Sequence, residues 1–450
     1  MRDRCTAALV SIFAIVYAAV GLVRHWAFES SYDLAIFDQA IWHVSRFESP
    51  ASSVRGYANL FGDHFSPVLV LLAPLYWIAP RPETLIVAQA VLLALSIVPV
   101  AAYARERLPS RAALLLTIAY GLFWGLQRAA AFDFHEIAFA PLAVATLILA
   151  RHRRRWGWFA AAIAALVCTK EDLIPLVVFV GLYLIVAGER RAGAIVAASA
   201  LAAFALIVGV VIPALGAGQY GYQSTFSEAI GRPLRIPLLL VWPPVKLTTA
   251  FMWVAPFALL PLASPLCTWL LPFAAERFLS ASPTHWGTIF HYSAAVAPVA
   301  AMAAIDGLAR VSTRIASAIV RRRTMLGFAA ASVVLSAFLP GHQPMWDLFQ
   351  TPFREAAAMR TTAFEALAAI PPGAPVVAQA AIAPRLAHRE AIAILTADAP
   401  DAEWVIASAW LSPWPARSVE ELAAWLRRYR ERGYTVVFDR GGWIVLHQRV

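Results

Sequence analysis

Eleven apolar runs limit what this chain can fold into: residues 5–23, 84–104, 111–127, 137–150, 156–169, 173–187, 193–212, 246–262, 266–280, 289–309 and 324–340. A helix that crosses a bilayer needs roughly 20 mostly apolar residues. In hydrocarbon every backbone group must be satisfied internally, so such runs are readable only as packed helices. Several runs are short and must borrow flanking polar residues. Composition agrees, with 60% of the 450 residues hydrophobic and 14% charged, against about half and a quarter in a soluble domain. The fold class is mainly α, a polytopic transmembrane helix bundle.

A net charge of +10 suggests nucleic acid in a soluble protein. Here the arginines sit in short clusters between apolar runs, the pattern of cytoplasmic membrane loops, so no nucleic-acid partner is expected. A further apolar stretch, "SPVLVLLAPLYWIA" at 66–79, holds about 14 residues with Pro74 inside. Counted as a span, it would place Arg105, Arg107 and Arg111 and the cluster 151–155 outside. Read as a surface or re-entrant helix, it returns those clusters, with Arg190, Arg191 and the arginines of 310–323, to the cytoplasm. The result is about eleven spans in the cytoplasmic membrane, a cytoplasmic N-terminus and a transmembrane domain over 1–340. Its first outer loop, 24–83, carries the surface helices. The basic start "MRDRC" leads into an uncleaved first span, since no small-residue cleavage site follows. Cys5, Cys168 and Cys267 all fall within apolar runs and are expected to be small buried hydrophobes.

The tail, 341–450, reads as an extracytoplasmic α/β domain. "PVVAQAA", "AEWVIASAW", "TVVFDR" and "WIVLHQR" look like strands. "SVEELAAWLRRYRERG" is an amphipathic helix with a Ser N-cap and a Gly stop, and "IPPGAP" at 370–375 is the opening turn.

With this topology the acids and histidines collect outside while the arginines collect inside. In "SSYDLAIFDQAIWH", Asp33 and Asp38 would stand about 140° apart on a helix, so they need not share a ligand; a helix cap and a solvated residue are the plain alternative. "GDHFSP" sets Asp63 and His64 before a surface helix, as phosphate or base orienters or as a cap for the helix Pro67 begins. "FDFHE" gives Asp133, His135 and Glu136, either ligands for a divalent cation such as Mg or Mn or interfacial residues bonded to loop backbone. "CTKEDLIP" holds Lys170, Glu171 and Asp172; Lys170 is one of two lysines, with Lys246. It would neutralise a lipid phosphate or snorkel at an interfacial turn. His285, His291 and Tyr292 of "PTHWGTIFHY" end an outer segment, and Tyr220 and Tyr222 stand in an outer loop as belt or sugar-contacting aromatics. No Walker motif, Gly-x-Gly-x-x-Gly loop or cysteine metal site occurs, which argues against nucleotide chemistry.

"YDLAIFDQAIW", "GDHFSPVLVLLAPLY", "FDFHEIAFAPL", "KEDL", "PTHWGTIFHY" and "VVAQAAIAPRLAHR" together resemble a family of bacterial and archaeal membrane proteins catalogued as a domain of unknown function. The resemblance covers about residues 25–395. That family is similar to the GT-C glycosyltransferases, which use polyprenyl-phosphate-linked sugars at the outer membrane face. The resemblance implies a membrane glycosyltransferase with Asp33 and Asp38 as catalytic candidates beside the acceptor. Asp63, His64, Lys170, Glu171, His291 and Tyr292 would bind substrate or donor phosphate. The implied partners are membrane lipid and the lipid-linked sugar. The alternative reading is a transporter or lipid-handling protein whose charged mouths line a path; the absence of an inverted repeat weighs against it.

Overall fold

The computed structural model describes residues 2–216, 218–349 and 355–448. Helix α1 (Arg2–Trp26) leads into a long loop that holds α2 (Tyr32–Ser45) and the short α3 (Ala73–Tyr76). Two interrupted helices follow, α4 (Pro82–Leu95) with α5 (Ile97–Arg107), and α6 (Ser110–Gly121) with α7 (Trp124–Ala131). Next come α8 (Ala140–His152), α9 (Trp156–Thr169), α10 (Ile174–Val186) and α11 (Arg190–Leu206). The short α12 (Ile212–Leu215), α13 (Ser227–Gly231) and α14 (Ile236–Val241) precede α15 (Val245–Val254). The helical part closes with α16 (Leu271–Phe278), α17 (Val296–Ser312) and α18 (Ala318–Phe338).

Among the described residues, five helices are long and apolar enough to cross a membrane by length and composition: Arg4–Trp26, Pro82–Arg107, Ser110–Ala131, Arg190–Leu215 and His291–Ser312. The bent pair Pro233–Val241 and Val245–Phe257 would make a sixth. Other apolar runs form shorter helices. α8 and α10 have 13 residues each. Both are lengthened at their starts by 3₁₀ turns, Glu136–Phe139 and Glu171–Leu173, so the borrowed polar residues are the acidic ones. The stretch 66–79 is a 3₁₀ turn, Pro67–Leu72, running into α3, with Trp77 and Ile78 exposed beside it. The cysteines depart from expectation: Cys5 is exposed, Cys168 and Cys267 are only partly covered, and all three are free thiols.

Runs 246–262 and 266–280 do not form two unbroken helices. The chain turns through left-handed backbone at Ala258 (φ 52°) and Leu259 (φ 59°), then continues as 3₁₀ turns at Leu260–Ala263 and Pro265–Leu270. Pro256, Pro261, Pro265 and Pro272 lack the N–H that a continuous α-helix needs. Such backbone is tolerated at membrane depth when protein covers it; Phe257, Leu260, Leu266 and Trp269 are all buried. α17 crosses this stretch at Gly307, where an added Cβ would lie 2.0 Å from the Leu260 carbonyl oxygen. Gly307→Ala is therefore expected to cost about 1–3 kcal/mol by overpacking, read as a lower thermal unfolding midpoint in detergent.

The C-terminal domain opens with α19 (Glu355–Ala368) and continues as β1 (Val376–Ala378), β2 (Ile392–Ile394), β3 (Trp404–Ser408), α20 (Val419–Glu431), β4 (Tyr434–Arg440) and β5 (Trp443–Gln448). The sheet order is β2-β1-β3-β5-β4, with β1 parallel to β2 and β3, and β5 antiparallel to β3 and β4. β2 falls in "AIAIL", outside the four expected strands. Ser418 caps α20 by accepting from the Glu421 N–H, and Gly433 (φ 92°) ends it. Alternation along the strands divides the core. Val377, Val405 and Ala407 pack under Leu422, Trp425 and Tyr429 of α20. Val376, Ala378 and Ile406 face the other way, against Ala363 and Ala366 of α19 and Phe28 and Ala35 of the first loop. The sheet is thus docked directly onto the first loop.

Candidate functional site

α2 owes its position to a residue far along the chain. The Asp133 carboxylate accepts the Ser31 N–H at 2.8 Å and the Leu34 N–H at 3.3 Å, satisfying donors that a helix N-terminus leaves open. Its negative charge also suits the positive end of the helix dipole. Burial foremost, with Asp33 nearby, pushes the Asp133 carboxyl up to about 7 against the pull of those backbone bonds. The three polar residues of "FDFHE" each have a separate partner. Asp133 is a tertiary cap, His135 Nδ1 lies 3.0 Å from the Asp133 carbonyl oxygen, and Glu136 is held by Lys170 at 2.9 Å.

Once α2 is fixed, a cavity of about 630 Å³ opens between it, the loop 55–66, the turns 132–136 and 170–172, the segment 284–292 and the C-terminal domain. Of the candidates, Asp33, Asp63, His64, His135, Glu136, Lys170, His291 and Tyr292 line it. Asp38 and Asp133 do not. Asp38 is fully buried on the other side of α2, 2.5 Å from the Tyr76 hydroxyl and 3.0 Å from His388 Nε2 of the C-terminal domain. The wide angular separation read from the spacing thus leaves one carboxylate in the cavity and commits the other to domain docking.

Lys170 organises the floor. Its Nζ stands 2.9 Å from Glu136 and 3.6 Å from Asp172. Glu171, fully buried and not part of the lining, works from behind: it accepts the Phe65 N–H at 2.9 Å and the Tyr220 hydroxyl at 3.1 Å, and lies 2.6 Å from His64 Nδ1. Burial pushes its carboxyl up, but His64 and Lys170 outweigh that and hold it at about 2. Asp63 is clamped by Arg55 through Nε (2.8 Å) and Nη2 (3.2 Å), and also accepts the Tyr222 hydroxyl at 3.1 Å. Tyr222 stacks on the His64 ring at 4.2 Å, and His135 stacks on His291 at 4.0 Å. Asp33 Oδ2 stands 3.9 Å from His135 Nε2. Burial pushes the Asp33 carboxyl above its ordinary range, opposed by His135 and reinforced by Glu136.

Burial likewise pushes Asp172 up from an ordinary 3.8 to about 7, with Glu276 and Glu171 raising it and Lys170 lowering it. Between about pH 4 and 7 the folded chain keeps a proton there that the unfolded chain has released. Stability is therefore expected to fall as pH rises through that window. Asp172→Asn should flatten the fall, measured as thermal midpoints at pH 5 and pH 8.

Several lining residues were outside the candidate set. Arg55 carried a signal, being an arginine in a segment otherwise assigned to the acidic side. Glu276 and Tyr32 carried none, and Trp414, stacked on Tyr32 at 4.9 Å, reaches the cavity from the C-terminal domain. Tyr220 and Tyr222, expected as belt or sugar-contacting aromatics, stand in the cavity wall. Lys246 lies outside the lining, donating to the Leu239 and Phe278 carbonyls at 2.7 Å each. Among the described residues, one group of three could bring cation-ligating atoms within 4.8 Å of each other: His43, Glu48 and Glu390. It lies away from the cavity, and Arg46 contacts both glutamates, at 2.9 and 3.6 Å. The cavity's own residues form no such set.

Residues 24–445 match the family described as "Predicted membrane protein (DUF2079)", and the chain belongs to that family. No curated protein matches it. Among solved structures, ArnT from Cupriavidus metallidurans bound to undecaprenyl phosphate is similar with a TM-score of 0.57 at 14% identity, over 98% of this chain and 97% of that one. Its apo state gives 0.51 at 13% identity, over 97% and 98%. An oligosaccharyltransferase from Archaeoglobus fulgidus, tethered with an acceptor peptide, gives 0.50 at 15% identity, over 99% of this chain and 74% of that one. The fold is thus shared with ArnT and with that oligosaccharyltransferase, and the family's description agrees with the long apolar helices in making the chain a membrane protein.

Proposed function

We propose that this family member is a glycosyltransferase that moves a sugar from a polyprenyl-phosphate donor to an acceptor hydroxyl. The cavity would open on the outer face of the cytoplasmic membrane, with the N-terminus inside and the C-terminal domain outside. The observation that carries this reading is the cavity itself. It sets a carboxylate of raised basicity, Asp33, opposite a lysine and histidines at one end of the bundle, within a fold shared with a protein solved bound to undecaprenyl phosphate.

In the proposed step Asp33 takes the acceptor hydroxyl proton as that oxygen bonds to the anomeric carbon. The bond from that carbon to the phosphate oxygen breaks, and the lipid phosphate leaves with the electron pair. Lys170, with His64 and His135 near it, offsets the charge developing on the phosphate. The donor carries its own activation, which accords with the missing nucleotide motifs. Tyr32 and Trp414 would form an aromatic wall for the acceptor, so the docked domain completes the site. Transfer is favoured over transport because the middles of α8 and α17 are aliphatic core: Val144, Leu147, Val299 and Ile305 are buried.

The test is a mass-spectrometric comparison of envelope glycans and lipid-linked sugars in cells with and without the gene. A sugar lost from an acceptor, with its lipid-linked form accumulating, is the expected result. Identical profiles would overturn the reading.

A further inference from the structure

A second polar pocket lies at the far ends of the helices that begin beside the cavity. α8 and α10 start just after Glu136 and Asp172, and α17 starts just after His291; the three run to His152, Tyr183 and Asp306. From Glu136 to His152 the helical rise is roughly 24 Å at about 1.5 Å per residue. The two pockets therefore sit on opposite sides of the apolar layer. This one has a volume of about 130 Å³, and Tyr103, Arg107, Arg151, Trp269, Asp306 and Arg310 are among the residues that line it.

Its acid is already engaged. Asp306 is buried and accepts from Arg107, from Arg310 Nε at 2.6 Å and from the Ser264 hydroxyl at 2.6 Å. Arg151 reaches Glu189 at 3.4 Å and lies over the Tyr183 ring. His152 and Arg153 meet at Glu106. After these contacts, the Nε of Arg107, the Nε of Arg151 and the Nε1 of Trp269 are buried with no acceptor. All three residues line this one pocket. A buried donor left unmet is costly and uncommon; Glu189 Oε2, buried without a donor beside Arg151, answers one of the three, and the other two, around one polar space, still imply a missing acceptor. Arg107, Arg151 and Arg310 outnumber Asp306 and Glu189, so the missing group is an anion. These donors and the guanidinium forks suit the oxygens of a phosphate.

We propose that this pocket binds a phosphate group through Arg107, Arg151 and Trp269. The phosphate belongs either to a lipid headgroup at this edge of the apolar layer or to a free phosphate in solution. The site is independent of the transferase reading. The full chain in neutral detergent is titrated with inorganic phosphate and, separately, with short-chain phosphatidic acid, against chloride and phosphatidylcholine controls. Thermal unfolding and native mass spectrometry read the binding. Saturable stabilisation is expected, weakened about tenfold by Arg151→Gln and about threefold by Trp269→Phe. Saturation by phosphatidic acid identifies a lipid headgroup, and saturation by inorganic phosphate alone identifies a soluble ligand. Trp269→Phe removes one N–H and keeps an aromatic ring, so it carries the test if Arg151→Gln does not fold. No saturable response to either probe, or an affinity unchanged by substitution, overturns the proposal.

Discussion

Asp33→Asn is expected to lower sugar transfer by about 10² to 10⁴, the usual contribution of a positioned general base, while the protein still folds. The side chain lines the cavity in the first turn of α2, and the backbone donors of that turn are satisfied by Asp133 instead. Losing a charge near a helix N-terminus costs only about 0.3–1 kcal/mol. Asp38→Asn makes the contrast. Asp38 bonds Tyr76 at 2.5 Å and meets His388 at 3.0 Å behind the helix. Its replacement is expected to loosen the C-terminal domain by about 1.5–3 kcal/mol, the worth of charge-assisted bonds, seen as faster hydrogen exchange in β1 and β2. Cells lacking the gene and complemented with each variant separate the two roles. Full glycan incorporation with Asp33→Asn would remove Asp33 from the mechanism.

The largest loss of stability is expected from Lys170→Met. Glu136 is 1% exposed and Lys170 12% exposed, 2.9 Å apart, so removing the cation strands a carboxylate in a nearly dry site. Breaking a buried pair from one side costs about 3–5 kcal/mol. The double variant Lys170→Met with Glu136→Gln removes both charges and should recover most of that loss in thermal unfolding. Transfer should stay abolished, because the donor phosphate would still lack its cation. Restored transfer in the double variant would confine Lys170 to a structural role; a single variant as stable as the parent would show that the pair is solvated.

Much of this molecule is legible along the chain. Apolar runs between arginine clusters specify membrane helices because hydrocarbon leaves the backbone no other partner than itself. The acidic and histidine motifs lie near one another because each ends or begins a helix on the same side. "VEELAAWLRRYRE" reads as a helix because Ser418 and Gly433 bound it and its apolar residues recur at helical spacing. Local signals are weak elsewhere: β2 is three residues long, and the proline-broken stretch around Ala258 depends on packing against Gly307.

What only the tertiary structure decided is the division of labour among like residues. Asp33 and Asp38 share a helix and a charge, yet one faces the cavity and the other the docked sheet, because contacts hundreds of residues away define which side of α2 is which. Asp133 looks like a ligand and is a cap, since the N–H groups it serves belong to residues about a hundred positions earlier. Trp414 enters the cavity wall because the C-terminal sheet buries Phe28 and Ala35 of the first loop. The sequence alone determined that helices would form and which of their ends would be charged, because hydropathy and charge act locally. Partner choice for each buried polar group followed from long-range packing, where geometry and desolvation, not residue type, select the contact.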